Sequence, residues 1–334
     1  MRIAIDAMGG DKAPGEIVQG AVEGLRYLGD GDGLVLIGRQ EVIEPLLPTD
    51  EVIRRRITVH HAPEVIAMDD PPVEAVRQKK DSSIMVMAKL AAQRQVDAII
   101  SAGNTGACAA ACQFRLGKLG TVQRPGIAVV LPSFSGPVTI CDVGANVAPK
   151  PHHLLQYAQM ASAYAETILK ISRPRVALLS IGGEDVKGSP LVKQTRMLLK
   201  QDTSLNFVGN VEGRELYAGA CDVAICDGFV GNVVLKLTEG LAEGLFKTIS
   251  REIAAESPDL AKRFEPVVKT IWARHDYSEY GGAPLLGVDG VCIICHGSSD
   301  ARAIQNAVRV AADYVRSKLN EVILERLTEE ATNA

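Results

Sequence analysis

The sequence predicts an α/β fold, a largely parallel sheet covered on both faces by helices. Three observations carry that prediction. Short apolar runs alternate with longer segments of helical periodicity along most of the chain, the pattern that strand–helix–strand connections produce. Six of the runs end in glycine accompanied by Asp, Asn, Thr, Lys, His or Ser, and open α/β sheets bind ligands outside the carboxyl ends of their strands. The 334 residues are 47% hydrophobic but only 4% aromatic, enough for a large core that must be aliphatic.

The first strand spans 2–6 and leads through Ala7-Met8-Gly9-Gly10-Asp11-Lys12-Ala13-Pro14 to a helix over about 15–28. A second strand covers 33–38, and a helix starting at Val42 is interrupted by Pro48. A strand at 57–61 precedes Asp69-Asp70-Pro71-Pro72 and helices over 73–80 and 83–94. Residues 96–116 then read strand, loop, helix, with Ser-Ala-Gly-Asn-Thr-Gly as the loop. Small residues admit a ligand close to the backbone, and the first free N–H groups of a helix carry partial positive charge. Gly103, Asn104, Thr105 and Gly106 are therefore candidate anion-binding positions. The alternative is a tight turn in which Asn104 or Thr105 only caps the helix.

Strands at 126–131 and 137–141 flank Pro-Ser-Phe-Ser-Gly, a hairpin connection. The second runs into Asp142-Val143-Gly144-Ala145-Asn146, and Pro151 opens a helix carrying Leu154, Ala158, Ala161, Ala165 and Ile168 on one stripe. Strands at 176–181, 223–226 and 291–295 end in Gly182 to Gly188, Asp227 to Asn232 and His296 to Asp300 respectively. The segment 233–276 is too long and too helical for a connection. It is expected to be a helical arm on a single 1–334 α/β domain, with one stripe of Leu241, Leu245, Ile249 and Ile253 and another of Leu260, Phe264, Val267, Val268, Ile271 and Trp272.

A formal charge of −4 argues against a general nucleic-acid partner, which would demand a strongly basic face. Arg2, Asp6 and Asp11 occupy the place of a signal peptide's apolar region. No stretch supplies the roughly 18 uninterrupted apolar residues of a spanning helix, so a cytoplasmic, at most peripherally membrane-associated protein is expected. The seven cysteines are an odd number set among aliphatic residues, which suits buried reduced thiols. Cys292 and Cys295 lie in a predicted strand, where positions three apart face opposite ways, so the sequence offers no metal signature there. Asp6, Asp142 and Asp227 end strands and are assigned loop-shaping hydrogen bonds.

IAIDAMGGDKAP from Ile3, SAGNTGA from Ser101, DVGAN from Asp142, KPHHLLQYA from Lys150, GNVEG from Gly209, CDGFVGN from Cys226, GGAPLLGV from Gly281 and HGSS from His296 span nearly the whole chain. In this set and order the sequence closely resembles the bacterial phosphate acyltransferase family, the acyl carrier protein:phosphate transacylases of phospholipid synthesis. Ser180 and Ala148 depart from the family's pattern. The resemblance implies a three-layer α/β/α sandwich similar to phosphotransacetylases and to isocitrate and isopropylmalate dehydrogenases, assembled as a homodimer. It implies transfer of a fatty acyl group from acyl carrier protein to inorganic phosphate without metal or redox cofactor. The acyl phosphate would feed a membrane glycerol-3-phosphate acyltransferase that makes phosphatidic acid.

That chemistry needs little general-base help, because phosphate is already an anionic nucleophile. The site must hold it against the thioester, screen its charge and stabilise the carbonyl oxyanion. The resemblance makes Lys187 and Asn232 the catalytic pair, Lys187 screening charge and Asn232 donating its amide hydrogens. Unaided, the residues read as an exposed loop lysine and a helix N-cap. Gly103, Asn104, Thr105, Gly106, Asp142, Asn146, His152, Gly231 and His296 are the candidate phosphate- and substrate-binding residues, His152 and His296 being also able to protonate a leaving thiol. A coenzyme A-dependent phosphotransacetylase is the nearest rival. A non-catalytic membrane-surface scaffold built on the arm is the alternative from another class.

Overall fold

Eleven of the aliphatic segments pair edge to edge into one sheet. The structure is a computed structural model; it describes residues 1–275 and 280–333, and the side chains of all of these except 269, 272–275 and 329–333. The strands are β1 (Arg2–Asp6), β2 (Gly33–Gly38), β3 (Ile57–His61), β4 (Ala98–Ser101), β5 (Gly126–Ser133), β6 (Gly136–Cys141), β7 (Arg175–Leu179), β8 (Asn206–Val211), β9 (Val223–Ile225), β10 (Ala283–Leu286) and β11 (Cys292–Ile294). Their order is β3-β2-β1-β4-β11-β10-β5-β6-β9-β7-β8.

Alternation along each strand builds the layers, because successive side chains leave opposite faces. Ile127, Val129 and Leu131 join one core with Cys292 and Ile294, while Ala128 and Val130 enter a second and Ile293 and Cys295 a third. Cys292 and Cys295 thus lie on opposite faces, as the strand reading required. Helices Ser83–Ala92 and Thr105–Arg115 cover the first face. Helices Gly15–Gly24 and Ala301–Ser317 cover one half of the other, and Pro151–Thr167 with Leu319–Asn333 the remaining half. The result is the expected α/β/α sandwich on a mixed, mostly parallel sheet.

One expectation needs correction. The six glycine loops do not leave a single sheet edge. β1, β2, β3, β4 and β11 are mutually parallel, and antiparallel β10 returns the direction to β5. The β5–β6 hairpin then reverses β6, β9, β7 and β8 as a parallel block. The loops after β1, β4 and β11 therefore form one set and those after β6, β7 and β9 another. Residues of both sets nevertheless line one cavity, Thr105 and His296 from the first and Val143 and Asn232 from the second.

The arm consists of helix Gly228–Glu256 and helix Pro258–His275, packed on each other. Phe229, Val233, Leu237, Leu241, Leu245 and Ile249 recur every fourth residue on the longer one and stay 46–69% exposed. Phe264 and Val267 on the shorter helix are also about half exposed, at 45% and 50%. Asp276 lies outside the described residues, as do the side chains of Lys269, Trp272 and Arg274. Among the described residues, no helix is long and apolar enough to cross a membrane.

Helices Gly15–Gly24 and Ala301–Ser317 cross closely because glycine stands at the contact. A methyl on Gly20 would come within 2.3 Å of the Ala301 carbonyl oxygen. Alanine normally favours a helix over glycine by about 1 kcal/mol, but here backbone would have to move. Gly20→Ala should therefore lower unfolding stability by about 1–3 kcal/mol, the scale of overpacking. Urea unfolding checks this, and a gain in midpoint would show that the crossing tolerates the methyl.

Candidate active site

The site begins with the carboxylate that ends β6. Asp142 is fully buried, and its oxygens accept from Ile127 N at 2.9 Å, Ala145 N at 3.2 Å and Asn146 N at 2.7 Å. Burial outweighs those donors and pushes its pKa up to about 6. Asn146, thus turned, donates its side-chain amide to Pro125 O at 2.7 Å and accepts Gly228 N on its own carbonyl at 2.8 Å. A Cβ on Gly231 would stand 2.0 Å from Asp142 O. The candidates Asp142, Asn146 and Gly231 therefore hold the first turn of helix Gly228–Glu256 against the end of β6.

That helix carries polar groups into a cavity of about 320 Å³. Its apolar lining includes Ile127, Val129, Val130, Val143, Leu235 and Ile294, and its polar lining Thr105, Asn232, Lys236, Glu239, His296 and Ser298. Asn232, Lys236 and Glu239 follow at helical spacing and so share a face. Lys236 Nζ donates to Glu239 Oε2 at 2.9 Å and lies against His296 Nε2. On the other ring nitrogen, Nδ1 is 2.7 Å from Ser298 Oγ. An ammonium has only hydrogens to offer, so Nε2 is the bare acceptor and Nδ1 carries the proton toward Ser298 Oγ. Ser298 N, 3.3 Å from Nδ1, would favour the opposite tautomer, but the closer charged contact decides. Enclosure and then the Lys236 charge hold the imidazole below its usual range.

The other candidates are placed differently. Asn104 spends its polar atoms on the protein: its amide donates to Ala67 O, Met68 O and Asp70 O, and Oδ1 caps the helix at Ala107 N, 3.0 Å away. Gly103 N is taken by Ser101 Oγ at 3.1 Å, which itself donates to buried Asp6 at 2.8 Å. Thr105 reaches the cavity; Gly106 packs under Pro72, which a Cβ would meet at 2.7 Å. Asp227 caps Phe229 N and Val230 N, so that helix start is not an open anion site. His152 stacks edge-on against His153, 4.2 Å between centroids, and is held below the usual imidazole range by burial and then Lys150; it does not line the cavity. Lys187 is exposed on the loop after β7, one strand along from β9, and likewise stands outside the lining.

Lys236 and Glu239 were missed by the sequence reading. Their signal was present as positions four and seven residues beyond Asn232 on a helix opened by a motif. Among the described residues, Cys108, Cys112 and Cys292 are the one group with metal-ligating spacing, their sulfurs within 4.8 Å of each other. They pack as small apolar side chains in the core beneath the Thr105–Arg115 helix.

Comparison with known proteins extends this geometry. The chain is 50% identical over 330 residues to a phosphate acyltransferase of Desulfitobacterium hafniense (strain DSM 10664 / DCB-2), covering 98% of both chains. It is 48% identical over 330 residues to a phosphate acyltransferase of Heliobacterium modesticaldum, again covering 98% of both. A phosphotransacetylase from Streptococcus pyogenes shares the fold, with TM-score 0.63 at 17% identity over 95% of this chain and 94% of that one. The α/β body with its cleft is thus that of an enzyme, an acyltransferase. Residues 1–322 match the model of the family described as fatty acid synthesis protein, and the chain belongs to that family, in agreement with the resemblance its motifs carry.

Asp142 generates a pH prediction. Its folded pKa of about 6 lies above the ordinary 3.8, so between these values the folded state binds more proton than the unfolded. Its contribution to stability therefore falls as pH rises from 3.8 to about 6, then stays constant. Asp142→Asn removes that slope and leaves an amide facing N–H donors, at a cost of about 1–3 kcal/mol. Urea unfolding at pH 4, 5, 6 and 7 tests both; an unchanged slope would assign the titration elsewhere.

Proposed function

We propose that this enzyme transfers a fatty acyl group from acyl carrier protein to inorganic phosphate, giving acyl phosphate for phosphatidic acid synthesis. The observation that carries the reading is a cavity with an apolar floor and a polar, cation-bearing rim in a chain half identical to phosphate acyltransferases. The acyl chain lies on the floor of Ile127, Val129 and Val143. A phosphate oxygen attacks the thioester carbonyl carbon, the oxyanion takes hydrogen bonds from the Asn232 amide, and collapse breaks the C–S bond. The leaving thiolate has a pKa of about 8.5 or above and takes its proton from the attacking hydrogen phosphate or from water. Lys187 screens the accumulating negative charge from the loop after β7, and no metal or redox cofactor enters.

The arm joins two subunits into a homodimer through the stripe from Leu241 to Ile253, making a four-helix bundle. The face with Leu260 and Phe264, beside Lys262 and Arg263, meets the acidic carrier protein or an anionic membrane surface. There, on the cytoplasmic side, a membrane glycerol-3-phosphate acyltransferase would consume the product. The second reading, a coenzyme A-dependent phosphotransacetylase, draws on the fold shared with the Streptococcus pyogenes protein.

Incubation with acyl-acyl carrier protein and phosphate, followed by hydroxylamine trapping, should yield acyl hydroxamate with metal chelator present; equal turnover with acyl-coenzyme A would favour the second reading. Lys187→Ala and Asn232→Ala should each lower turnover by at least about 100-fold, the scale of losing an oxyanion donor, with circular dichroism unchanged. Near-normal turnover by a folded variant removes that residue from the mechanism. Leu241→Glu with Leu245→Glu should sediment as a monomer, whereas Leu260→Glu with Phe264→Glu should keep the dimer and lose anionic vesicles. The reverse pattern would exchange the roles of the two faces.

A further inference from the structure

We infer that Lys236 is the phosphate-binding cation of the cavity, with Glu239 and His296 as positioning residues that aim its ammonium before phosphate arrives. The inference deepens the proposed function and rests on it for the identity of the second substrate. Four titratable side chains other than Tyr280 and Cys295 line the cavity: Lys236, Glu239, Asp300 and His296. Glu239 and Asp300 are acids, and Asp300 is engaged in capping Ala303 N at 3.0 Å. His296 is held in its neutral form with Nε2 occupied. Lys236 is thus the one cation among the described lining residues, in a cavity that must take a dianion.

Its geometry suits the task. The ammonium has three hydrogens, of which Glu239 takes one and His296 Nε2 another, leaving the third for a phosphate oxygen. Glu239 is mostly buried, its side chain 15% exposed against 46% for Lys236. The pair is therefore anchored at the acid and open at the amine, where an incoming anion would approach. Asn232 stands one turn earlier on the same face, its side chain beside Gly144, where a Cβ would stand 3.8 Å from Oδ1. Lys236 and Asn232 are so spaced that one could hold phosphate while the other receives the carbonyl oxygen. An i,i+3 ion pair on a solvated face, the bland account of Lys236 and Glu239, leaves unexplained why its amine meets a histidine from the loop after β11.

The test measures initial rates against phosphate at saturating acyl-acyl carrier protein for wild type, Lys236→Gln and Lys236→Arg, with phosphate-induced change in Tm recorded separately on the same proteins. Lys236→Gln should raise KM for phosphate at least about tenfold, as expected for a charge-assisted contact, and leave KM for the thioester within about twofold. Lys236→Arg should recover most of the loss, and inorganic phosphate alone should raise the Tm of wild type but not of Lys236→Gln. His296→Gln should weaken phosphate binding less than Lys236→Gln does. An unchanged phosphate KM together with an unchanged Tm response in Lys236→Gln would reduce the residue to a surface ion pair. Should wild type form no acyl phosphate, the proposed function fails, while the Tm response to phosphate still decides the role of Lys236. The absence of any response in wild type overturns the inference.

Discussion

The buried carboxylate of Asp142 is the constraint from which the cavity is built. A carboxyl group at zero exposure is costly unless its oxygens are matched, and three backbone N–H groups match them. Those bonds fix the loop after β6 to β5, and through Asn146 they fix where helix Gly228–Glu256 begins. Gly231 then has to be glycine, because its Cα runs against the Asp142 carbonyl. The direction in which Asn232, Lys236 and Glu239 point follows from that start. A single buried ionisable group thereby sets the orientation of the polar lining.

A second buried carboxylate plays the matching part on the other side of the cleft. Asp6, its pKa raised by burial, accepts from Met8 N at 3.1 Å and Ser101 Oγ, locking the loops after β1 and β4 together. Asn104 extends the lock to the 67–70 segment. Each parallel block of the sheet thus carries its own rigid loop platform. His296 from one block and Lys236 from the helix that follows β9 in the other meet across the gap, so the cavity is the place where the blocks touch.

Most of the fold was legible because aliphatic strands of a buried parallel sheet announce themselves. β1, β2, β3 and the β5–β6 hairpin fall where apolar runs and breakers put them. β8 was not read as a strand because it is an edge, NFVGNV, with two asparagines, a glycine and mostly half-exposed side chains. β10 escaped because APLL contains Pro284 and lies between Gly281-Gly282 and Gly287, signals that read as a turn. The block reversal was hidden for a different reason: periodicity records that a strand is buried on both faces but not which way it runs. Within the site, Asn104 and Gly231 serve the loop geometry around them, a use of a conspicuous Asn or Gly that the sequence does not separate from ligand binding. Lys236 had no motif of its own, and only the helix face relates it to Asn232.

The long helix Gly228–Glu256 joins these matters to the arm. At 1.5 Å per residue its 29 residues extend about 43 Å, with the cavity groups confined to the first turns. The exposed stripe starts in those same turns, at Phe229 and Val233, and continues to Ile249. A strict four-residue spacing drifts around a helix of 3.6 residues per turn, so the stripe forms an inclined ridge along the helix. Whatever covers the ridge therefore presses on the element that aims Lys236 and Asn232. Asp142, through Asn146, fixes the helix at its first turn, and the Tyr217 hydroxyl against Thr238 Oγ1 holds it again beside Glu239. The exposed ridge and the polar lining of the cavity thus belong to one helix, tethered to the α/β body at both ends of that lining.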